Sequence, residues 1–166
     1  MNIILDWSVF INIKKVSDFT DKEKKFFLRL DNAFSDESFL NWLSMKTKED
    51  PSYLKNRFEE WLFECYEFSP ISIPSNHSLY ISGNHISVFK KYLVYNNINE
   101  KFDDSFFSFE LGHVKEDPLF FEMIKEKINN SEDNIYVDDD PAARLLSKKA
   151  GFINYDKNNF LKTFVS

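Results

Sequence analysis

The chain has 166 residues, of which 43% are hydrophobic and 29% are charged, a balance that is typical of one soluble globular domain and that excludes global disorder. The 27 acidic residues outnumber the 21 basic ones, and the resulting net charge of −6 argues against nucleic acid as the main partner. No apolar run is long enough to span a membrane, and no basic segment followed by an apolar stretch opens the sequence. We therefore expect a cytoplasmic protein with no membrane partner.

The first third of the chain begins with a strand and continues as helices. Residues 2–6 form a short apolar run that predicts a buried strand, and acidic Asp6 stands at its C-terminal end. Between about residues 20 and 66 apolar side chains recur at helical spacing, which indicates about three helices. Ser35 and Asp50 stand at two of the expected helix starts, the second followed by a proline in the first helical position.

Strands and helices alternate in the rest of the chain. The predicted elements are a strand at 79–82, a helix at 85–95, a strand at 106–109, a helix at 119–128, a strand at 134–137, a helix from 141 that Gly151 ends, and a final short strand and helical turn within 152–165. This order predicts an α/β fold with a Rossmann-like parallel sheet flanked by helices. We expect an α/β core formed by residues 1–14 and 71–166, and a small helical insertion formed by residues 15–70.

Polar side chains stand at the carboxyl ends of the predicted strands, where parallel α/β sheets bind their ligands. Asp6 ends the first strand, Ser82 ends the second, and three consecutive acids follow the strand at 134–137. Lys115 lies in the loop before the penultimate helix. Carboxylate oxygens are the ligands that Mg²⁺ prefers, and serine and lysine bind phosphate oxygens. The pattern therefore predicts a site for a phosphate group and a divalent cation.

The order and spacing of these residues resemble the haloacid dehalogenase-like (HAD) hydrolase superfamily over nearly the whole chain. Its four motifs are matched by Ile3-Ile-Leu-Asp6, by Leu79-Tyr-Ile-Ser82-Gly-Asn84, by Gly112-His-Val-Lys115-Glu-Asp-Pro118 and by Ile135-Tyr-Val-Asp138-Asp139-Asp-Pro141. The helical insertion lies where one branch of the superfamily carries a small helical cap.

The resemblance implies a Mg²⁺-dependent phosphatase that acts on a small phosphorylated molecule. Asp6 would be the nucleophile that forms an aspartyl-phosphate, and Ser82 and Lys115 would hold the phosphoryl oxygens. The implied metal ligands are Asp6, the backbone carbonyl of Ser8, Asp138 and Asp139. The implied substrate-binding residues are Trp7, Ser8 and Asn84.

Two positions depart from the superfamily pattern. The phosphatases usually carry a second aspartate two residues after the nucleophile, and it acts as general acid and base. Here that residue is Ser8. A serine hydroxyl cannot transfer protons near neutral pH as a carboxylate does. A further acid or Asn is common four residues after Asp139, and here that residue is Ala143. An alternative is therefore a HAD-fold binding or regulatory protein without turnover. Carbon–halogen hydrolysis is disfavoured, because the dehalogenases carry an aromatic residue at the position of Ser8.

The remaining reactive side chains give no functional signal. His77, His85 and His113 lack the spacing of metal ligands, and we expect them on the surface or in loops. Cys65 lies in an aromatic-rich run and is expected to be buried and unreactive. The sequence carries no indication of the oligomeric state.

Overall fold

The computed structural model describes residues 1–14, 16, 18–71, 73, 76–128 and 133–164. The strands are β1 (Asn2–Asp6), β2 (Ile11–Ile13), β3 (Tyr66–Phe68), β4 (Ser78–Gly83), β5 (Asp104–Phe107), β6 (Asn134–Val137) and β7 (Ile153–Tyr155). The α-helices are α1 (Asp21–Phe27), α2 (Asp36–Thr47), α3 (Pro51–Cys65), α4 (Val88–Tyr95), α5 (Ser108–Leu111), α6 (Pro118–Lys127), α7 (Pro141–Lys149) and α8 (Lys157–Phe164). None of the helices in the described residues is long and apolar enough to cross a membrane.

Five strands form one parallel sheet in the order β5-β4-β1-β6-β7, which confirms the predicted α/β fold. The central strand β1 pairs with β4 on one side and with β6 on the other, and all five of its residues are buried. Burial on both faces explains why β1 is an almost continuous apolar run. Asp6 consequently lies in the middle of the sheet at its C-terminal edge, directly opposite Ser82 of β4.

Helix starts in the core follow the local sequence signals. Asp117 and Asp140 are the N-caps of α6 and α7, and each is followed by a proline in the first helical position. Strand β5 ends at Phe107, two residues earlier than predicted, because Ser108 begins the short helix α5.

The helical insertion contains α1, α2 and α3; its predicted start at residue 15 lies outside the described residues. Ser35 and Asp50 are the N-caps of α2 and α3, which confirms both predicted helix starts. Strands β2 and β3 pair in antiparallel orientation at the root of the insertion. The sequence did not predict this pair, since three residues are too few to show an alternating pattern.

Side chains of the insertion and of the core belong to one continuous hydrophobic cluster. Phe58 of α3 packs edge-on against His85, with ring centroids 5.9 Å apart. Asp36, the first residue of α2, accepts a hydrogen bond at 2.7 Å from the backbone N–H of Ser87, just before α4. The insertion is therefore attached to the core at α4 by both apolar and polar contacts.

Candidate active site

Asp6 is buried at the end of the central strand, with a side chain that is 1% exposed. Its Oδ1 atom accepts hydrogen bonds from the backbone N–H of Ser8 at 3.0 Å and from the Ser8 hydroxyl at 2.6 Å. Its Oδ2 atom lies 3.4 Å from Nζ of Lys115. Both donors of Ser8 therefore hold one carboxylate oxygen, and the other oxygen faces the lysine.

Because Gly83 has no Cβ atom, the side chains of Asp6 and Trp7 can occupy the space beside it. A Cβ atom at this glycine would lie 2.5 Å from Oδ2 of Asp6 and 2.6 Å from Cδ1 of Trp7. The φ angle of +133° is also one that residues with side chains rarely adopt. The Trp7 ring stacks on Tyr66 with centroids 5.3 Å apart, so Trp7 is both part of the core and a wall of the site.

Lys115 joins two buried carboxylates. Its Nζ atom lies 3.0 Å from Oδ2 of Asp138, in addition to its contact with Asp6. Burial alone would lower the pKa of Lys115, but the negative charges of the two aspartates outweigh burial and raise the pKa well above its usual value. Burial, and then the charge of Asp6, raise the pKa of Asp138 to about 7. A single lysine therefore does not fully compensate the two carboxylates.

Asp138 is held by two residues, Tyr136 and Arg144, that were not among the predicted site residues. The hydroxyl of Tyr136 donates to Oδ2 of Asp138 at 3.1 Å, and Nη1 of Arg144 donates to the Asp138 backbone carbonyl at 2.6 Å. The backbone N–H of Asp140 donates to Oδ1 of Asp138 at 2.9 Å. Tyr136 stands two residues before Asp138, at the end of β6, and side chains two residues apart in an extended chain point to the same side. This spacing could have predicted the contact between them. The contact of Arg144 depends on how α7 follows the strand and has no comparable signal.

Asp139 does not lie with these residues, although it was predicted as a metal ligand. Its side chain is exposed and accepts a hydrogen bond at 3.0 Å from the backbone N–H of Lys157, at the start of α8. Successive side chains at a strand end point in opposite directions, so only one of two adjacent acids can face Asp6. The structure places Asp138 there.

Ser82 lies beside Asp6, as predicted, but it is fully buried. Its hydroxyl donates to the backbone carbonyl of Leu5 at 3.4 Å. The hydroxyl therefore faces the sheet rather than the open space above Asp6.

Asn84 connects the end of β4 with the loop that carries Lys115. Its Oδ1 atom accepts from the backbone N–H of Lys115 at 2.7 Å, and its Nδ2 atom donates to Oε2 of Glu116 at 2.7 Å. Both groups of this buried amide are thus occupied by protein atoms.

A cavity of about 410 Å³ opens above the lysine. Trp7, Asn84, Lys115 and Glu116 line it from the core, and residues 28–31 line it from the helical insertion. Arg29 in this segment binds Asp31 through two hydrogen bonds of 2.9 Å. The insertion therefore covers the edge of the sheet at which Asp6 lies.

His85 is fully buried, contrary to the expectation that it lies on the surface or in a loop. Its Nδ1 atom accepts from the backbone N–H of Ile86 at 3.1 Å, so Nε2 carries the proton and donates to the Tyr66 hydroxyl at 3.3 Å. Burial lowers the pKa of His85 to about 3. The imidazole is therefore neutral and packs as a core side chain, stacked on Phe89. Cys65 is buried, as predicted.

The donor set at Asp6 fits a magnesium ion. Asp6 and Asp138 share one buried cation, so their surroundings carry excess negative charge that a divalent ion would neutralise. The described residues contain no cluster of three His, Cys, Asp or Glu side chains arranged to hold a metal. Mg²⁺ does not require one, since proteins usually bind it through one or two carboxylates while it keeps several waters.

Comparison of the sequence with protein-family models and with curated proteins gave no match. The fold, however, is similar to several solved structures. A predicted HAD-like family hydrolase from Porphyromonas gingivalis is 18% identical, with a TM-score of 0.70 over 93% of this chain and 89% of that one. A HAD family enzyme from Bacteroides thetaiotaomicron, in complex with magnesium and inorganic phosphate, is 13% identical, with a TM-score of 0.62 over 93% and 92%. A HAD phosphatase from Thermococcus onnurineus is 15% identical, with a TM-score of 0.56 over 92% and 84%.

The chain therefore has the fold of the HAD-like superfamily. The similarity extends over both the α/β core and the helical insertion, since more than nine-tenths of the chain is covered.

Proposed function

We propose that this protein is a Mg²⁺-dependent phosphatase that acts on a small phosphorylated molecule through an aspartyl-phosphate on Asp6. The observation that carries this proposal is the buried row of charged groups formed by Asp6, Lys115 and Asp138. A cavity lies above this row, and Lys115 is part of its lining. Carboxylate and ammonium groups at the carboxyl end of a central parallel strand are suited to binding and transferring a phosphoryl group.

In the proposed reaction, Oδ2 of Asp6 attacks phosphorus, and the bond from phosphorus to the leaving oxygen breaks. This is the carboxylate oxygen that the two donors of Ser8 leave free. Water then hydrolyses the aspartyl-phosphate and releases inorganic phosphate. A protonated lysine has three N–H donors, and the two aspartates accept from two of them at most. The third donor of Lys115 would hold a phosphoryl oxygen.

Asp6, Asp138 and the backbone carbonyl of Ser8 would hold Mg²⁺. When bound, the ion would neutralise negative charge on the phosphoryl oxygens in the transition state. Asp139 would join the ligands only by releasing the backbone N–H of Lys157. Likewise, Ser82 would reach a phosphoryl oxygen only after its hydroxyl rotates away from the Leu5 carbonyl.

The helical insertion would act as the cap of the site. Residues 28–31 face Trp7 across the cavity, and a volume of about 410 Å³ suits a small molecule. The substrate's leaving group would occupy this space, between the insertion and the phosphoryl site.

A second candidate is a HAD-fold protein that binds a phosphorylated ligand and does not turn it over. The observation that favours it is the Ser8 hydroxyl, which is engaged with Asp6 at 2.6 Å instead of facing the cavity as a proton donor would. The described residues that line the cavity include no histidine, and their two carboxylates are both bonded to the protein, Asp31 to Arg29 and Glu116 to Asn84.

Turnover of p-nitrophenyl phosphate, with MgCl₂ or with EDTA, tests the two candidates. A phosphatase should release nitrophenolate only with Mg²⁺, and Asp6→Asn should abolish the reaction because the amide is not a nucleophile. Calorimetric titration with inorganic phosphate in the same buffer detects ligand binding. Phosphate binding without any turnover would support the binding protein, and turnover that survives Asp6→Asn would refute the proposed nucleophile.

A further inference from the structure

We propose that Asn84 is a positioning residue that fixes Lys115 against the two buried aspartates, with Glu116 as the group that orients the Asn84 amide. The inference deepens the proposed function and rests on it for its catalytic consequence. Its geometric content, the placement of the Lys115 ammonium, can be tested without any turnover.

The chemistry of its neighbours fixes the orientation of the Asn84 amide. Oδ1 lies 2.7 Å from the backbone N–H of Lys115, and Nδ2 lies 2.7 Å from a carboxylate oxygen of Glu116. If the amide were flipped, its NH₂ group would face an N–H donor and its oxygen would face a carboxylate, so two attractive contacts would become repulsive. Asn84 is only 4% exposed, which makes an unpaired amide group costly.

The hydrogen bond to the Lys115 backbone spans the site. Asn84 directly follows Gly83, at which an added Cβ atom would overlap the Asp6 carboxylate, whereas Lys115 belongs to the loop between α5 and α6. The amide therefore ties the strand end beside Asp6 to the loop that supplies the cation.

A lysine side chain has four rotatable bonds, so its ammonium is well placed only when both of its ends are held. Oδ1 of Asn84 holds the backbone end, and Asp6 and Asp138 hold the ammonium at 3.4 and 3.0 Å. If the backbone end is released, we expect the loop to shift and the ammonium to spend less time between the two carboxylates.

The variant that isolates this role is Asn84→Asp, which has the same shape and keeps an oxygen for the Lys115 N–H. The variant loses the donor to Glu116 and places two carboxylates face to face, so the side chain is pushed out of its position. Adding Glu116→Gln restores a donor–acceptor pair with the roles reversed. The double variant should therefore recover the placement of Lys115 that the single variant loses. Glu116→Gln alone should leave the placement of Lys115 unchanged, because it keeps an acceptor for Nδ2 of Asn84.

Labelling of lysine amines with acetic anhydride, read by mass spectrometry, measures the position of Lys115 directly. Its side chain is 15% exposed, so it should react slowly in the wild-type protein. We expect Asn84→Asp to raise the labelling rate of Lys115 by about threefold or more, and the double variant to return it to the wild-type rate. Lys125 of α6, which donates to the Ala150 carbonyl, should be unaffected in all of them. Asn154→Asp is the matched control, since that amide also has both groups bonded, to Ser147 and Phe152, and lies in β7.

The catalytic consequence is measured on p-nitrophenyl phosphate. Misplacing a catalytic group by about 1 Å costs up to about 100-fold in rate, so Asn84→Asp should lower kcat/KM by roughly 10- to 100-fold, with recovery in the double variant.

If Asn84→Asp does not fold, Glu116→Ala takes its place, since it changes only an exposed side chain and should also raise the labelling of Lys115. Unchanged labelling of Lys115 in a folded variant would overturn the inference. Altered labelling in a protein that turns over no phosphate ester would support the positioning role and count against the phosphatase.

Discussion

Ser8 stands two residues after Asp6, where the resemblance to HAD phosphatases leads one to expect a general acid, and the structure shows what its hydroxyl does instead. It donates to Oδ1 of Asp6 at 2.6 Å, parallel to the bond from its own backbone N–H. Ser8 therefore orients the proposed nucleophile and offers no proton to a leaving group.

This arrangement leads to a prediction about leaving groups. Aryl phosphates, whose leaving oxygen needs little protonation, should be hydrolysed at least about 100-fold faster than alkyl phosphates. Ser8→Asp would place a second carboxyl group beside Asp6, and repulsion between the two would keep one of them protonated and able to act as an acid. We expect this variant to raise kcat for alkyl phosphates by about 10-fold or more and to change the aryl rate much less. Efficient hydrolysis of alkyl phosphates by the wild-type protein would show that another residue supplies the proton.

Gly83 provides a second prediction at the scale of a single residue. In Gly83→Ala the new methyl group would overlap Oδ2 of Asp6 and the Trp7 ring, so the carboxylate must move from its contact with Lys115. We expect loss of turnover together with a decrease of about 1–3 kcal/mol in the free energy of unfolding.

The matched control for this variant is Gly112→Ala. Gly112 also has a positive φ angle, of +71°, but nothing lies within 4 Å of the position that a Cβ would take. This variant should cost only about 1 kcal/mol of stability, measured by urea unfolding, and should retain most of the wild-type turnover. Equal activity of the two alanine variants would show that the space beside Asp6 is not required.

At the scale of elements, a hydrogen bond from the insertion to Ser87, the N-cap residue of α4, helps to attach the insertion to the core. Ser87 precedes α4 but forms no side-chain cap of its own, and Asp36 of α2 instead accepts from both its backbone N–H and its hydroxyl. Such a bond satisfies one of the unpaired N–H groups at the start of a helix.

Removing this acceptor should loosen the insertion. Asp36→Ala should lower the free energy of unfolding by about 1 kcal/mol and should speed hydrogen exchange at the start of α4. Asp50→Ala is the control, because Asp50 is the N-cap of α3 within the insertion and should cost a similar amount while leaving exchange at Ser87 unchanged. The same exchange rate at Ser87 in both variants would mean that the insertion is held by apolar packing alone.

The elements that could be predicted are those with a local signal. The buried apolar run of β1, the helix start at Asp50 and the helix that begins at Pro141 follow from periodicity and capping chemistry, and all three are confirmed. The β2–β3 pair could not be predicted, because its three-residue strands are defined only by their pairing.

The site shows the same division. Asp6 and Ser82 could be brought together because a parallel sheet gathers strand ends at one edge, whereas Lys115 was expected there only from the motif resemblance. Which of Asp138 and Asp139 faces inward depends on how the chain leaves β6, which a run of three aspartates does not encode. The burial of His85 depends on aromatic side chains from distant parts of the chain, such as Tyr66 and Phe58.

At the scale of the whole molecule, two buried groups make stability respond to pH in opposite directions. The pKa of Asp138 is raised by burial from 3.8 to about 7. Between these two pH values the Asp138 carboxyl therefore holds a proton in the folded protein that it has lost in the unfolded chain. Its contribution to stability is complete below pH 3.8 and is lost as the pH rises through 7. The pKa of His85 is lowered by burial from 6.5 to about 3, so its contribution is complete above pH 6.5 and is lost as the pH falls through 3.

Between about pH 4.5 and 6.5 the two contributions oppose each other. Carboxyl groups with a lowered pKa, such as Asp31 and Asp156, act below their usual pKa of 3.8 and do not affect this window. Without divalent cations, the free energy of unfolding of the wild-type protein should therefore change by less than about 1 kcal/mol from pH 4.5 to 6.5.

Single substitutions should separate the two slopes. Asp138→Asn removes the contribution that falls with pH, so only the rising contribution of His85 remains. The free energy of unfolding of this variant should therefore rise by roughly 2 to 3 kcal/mol from pH 4.5 to 6.5, since each pKa unit corresponds to about 1.4 kcal/mol. His85→Asn removes the rising contribution, and its stability should fall by a similar amount over the same range, even though the lost packing lowers its stability at every pH. Urea unfolding in EDTA at several pH values measures how the free energy of unfolding of each variant changes with pH. A titration effect changes the slope of this curve, whereas a packing defect shifts the whole curve without changing its slope. A flat profile for His85→Asn would mean that Asp138 is already ionised in the folded protein at pH 4.5, with Lys115 compensating its charge completely. A flat profile for Asp138→Asn would mean that the pKa of His85 is not lowered in the folded protein.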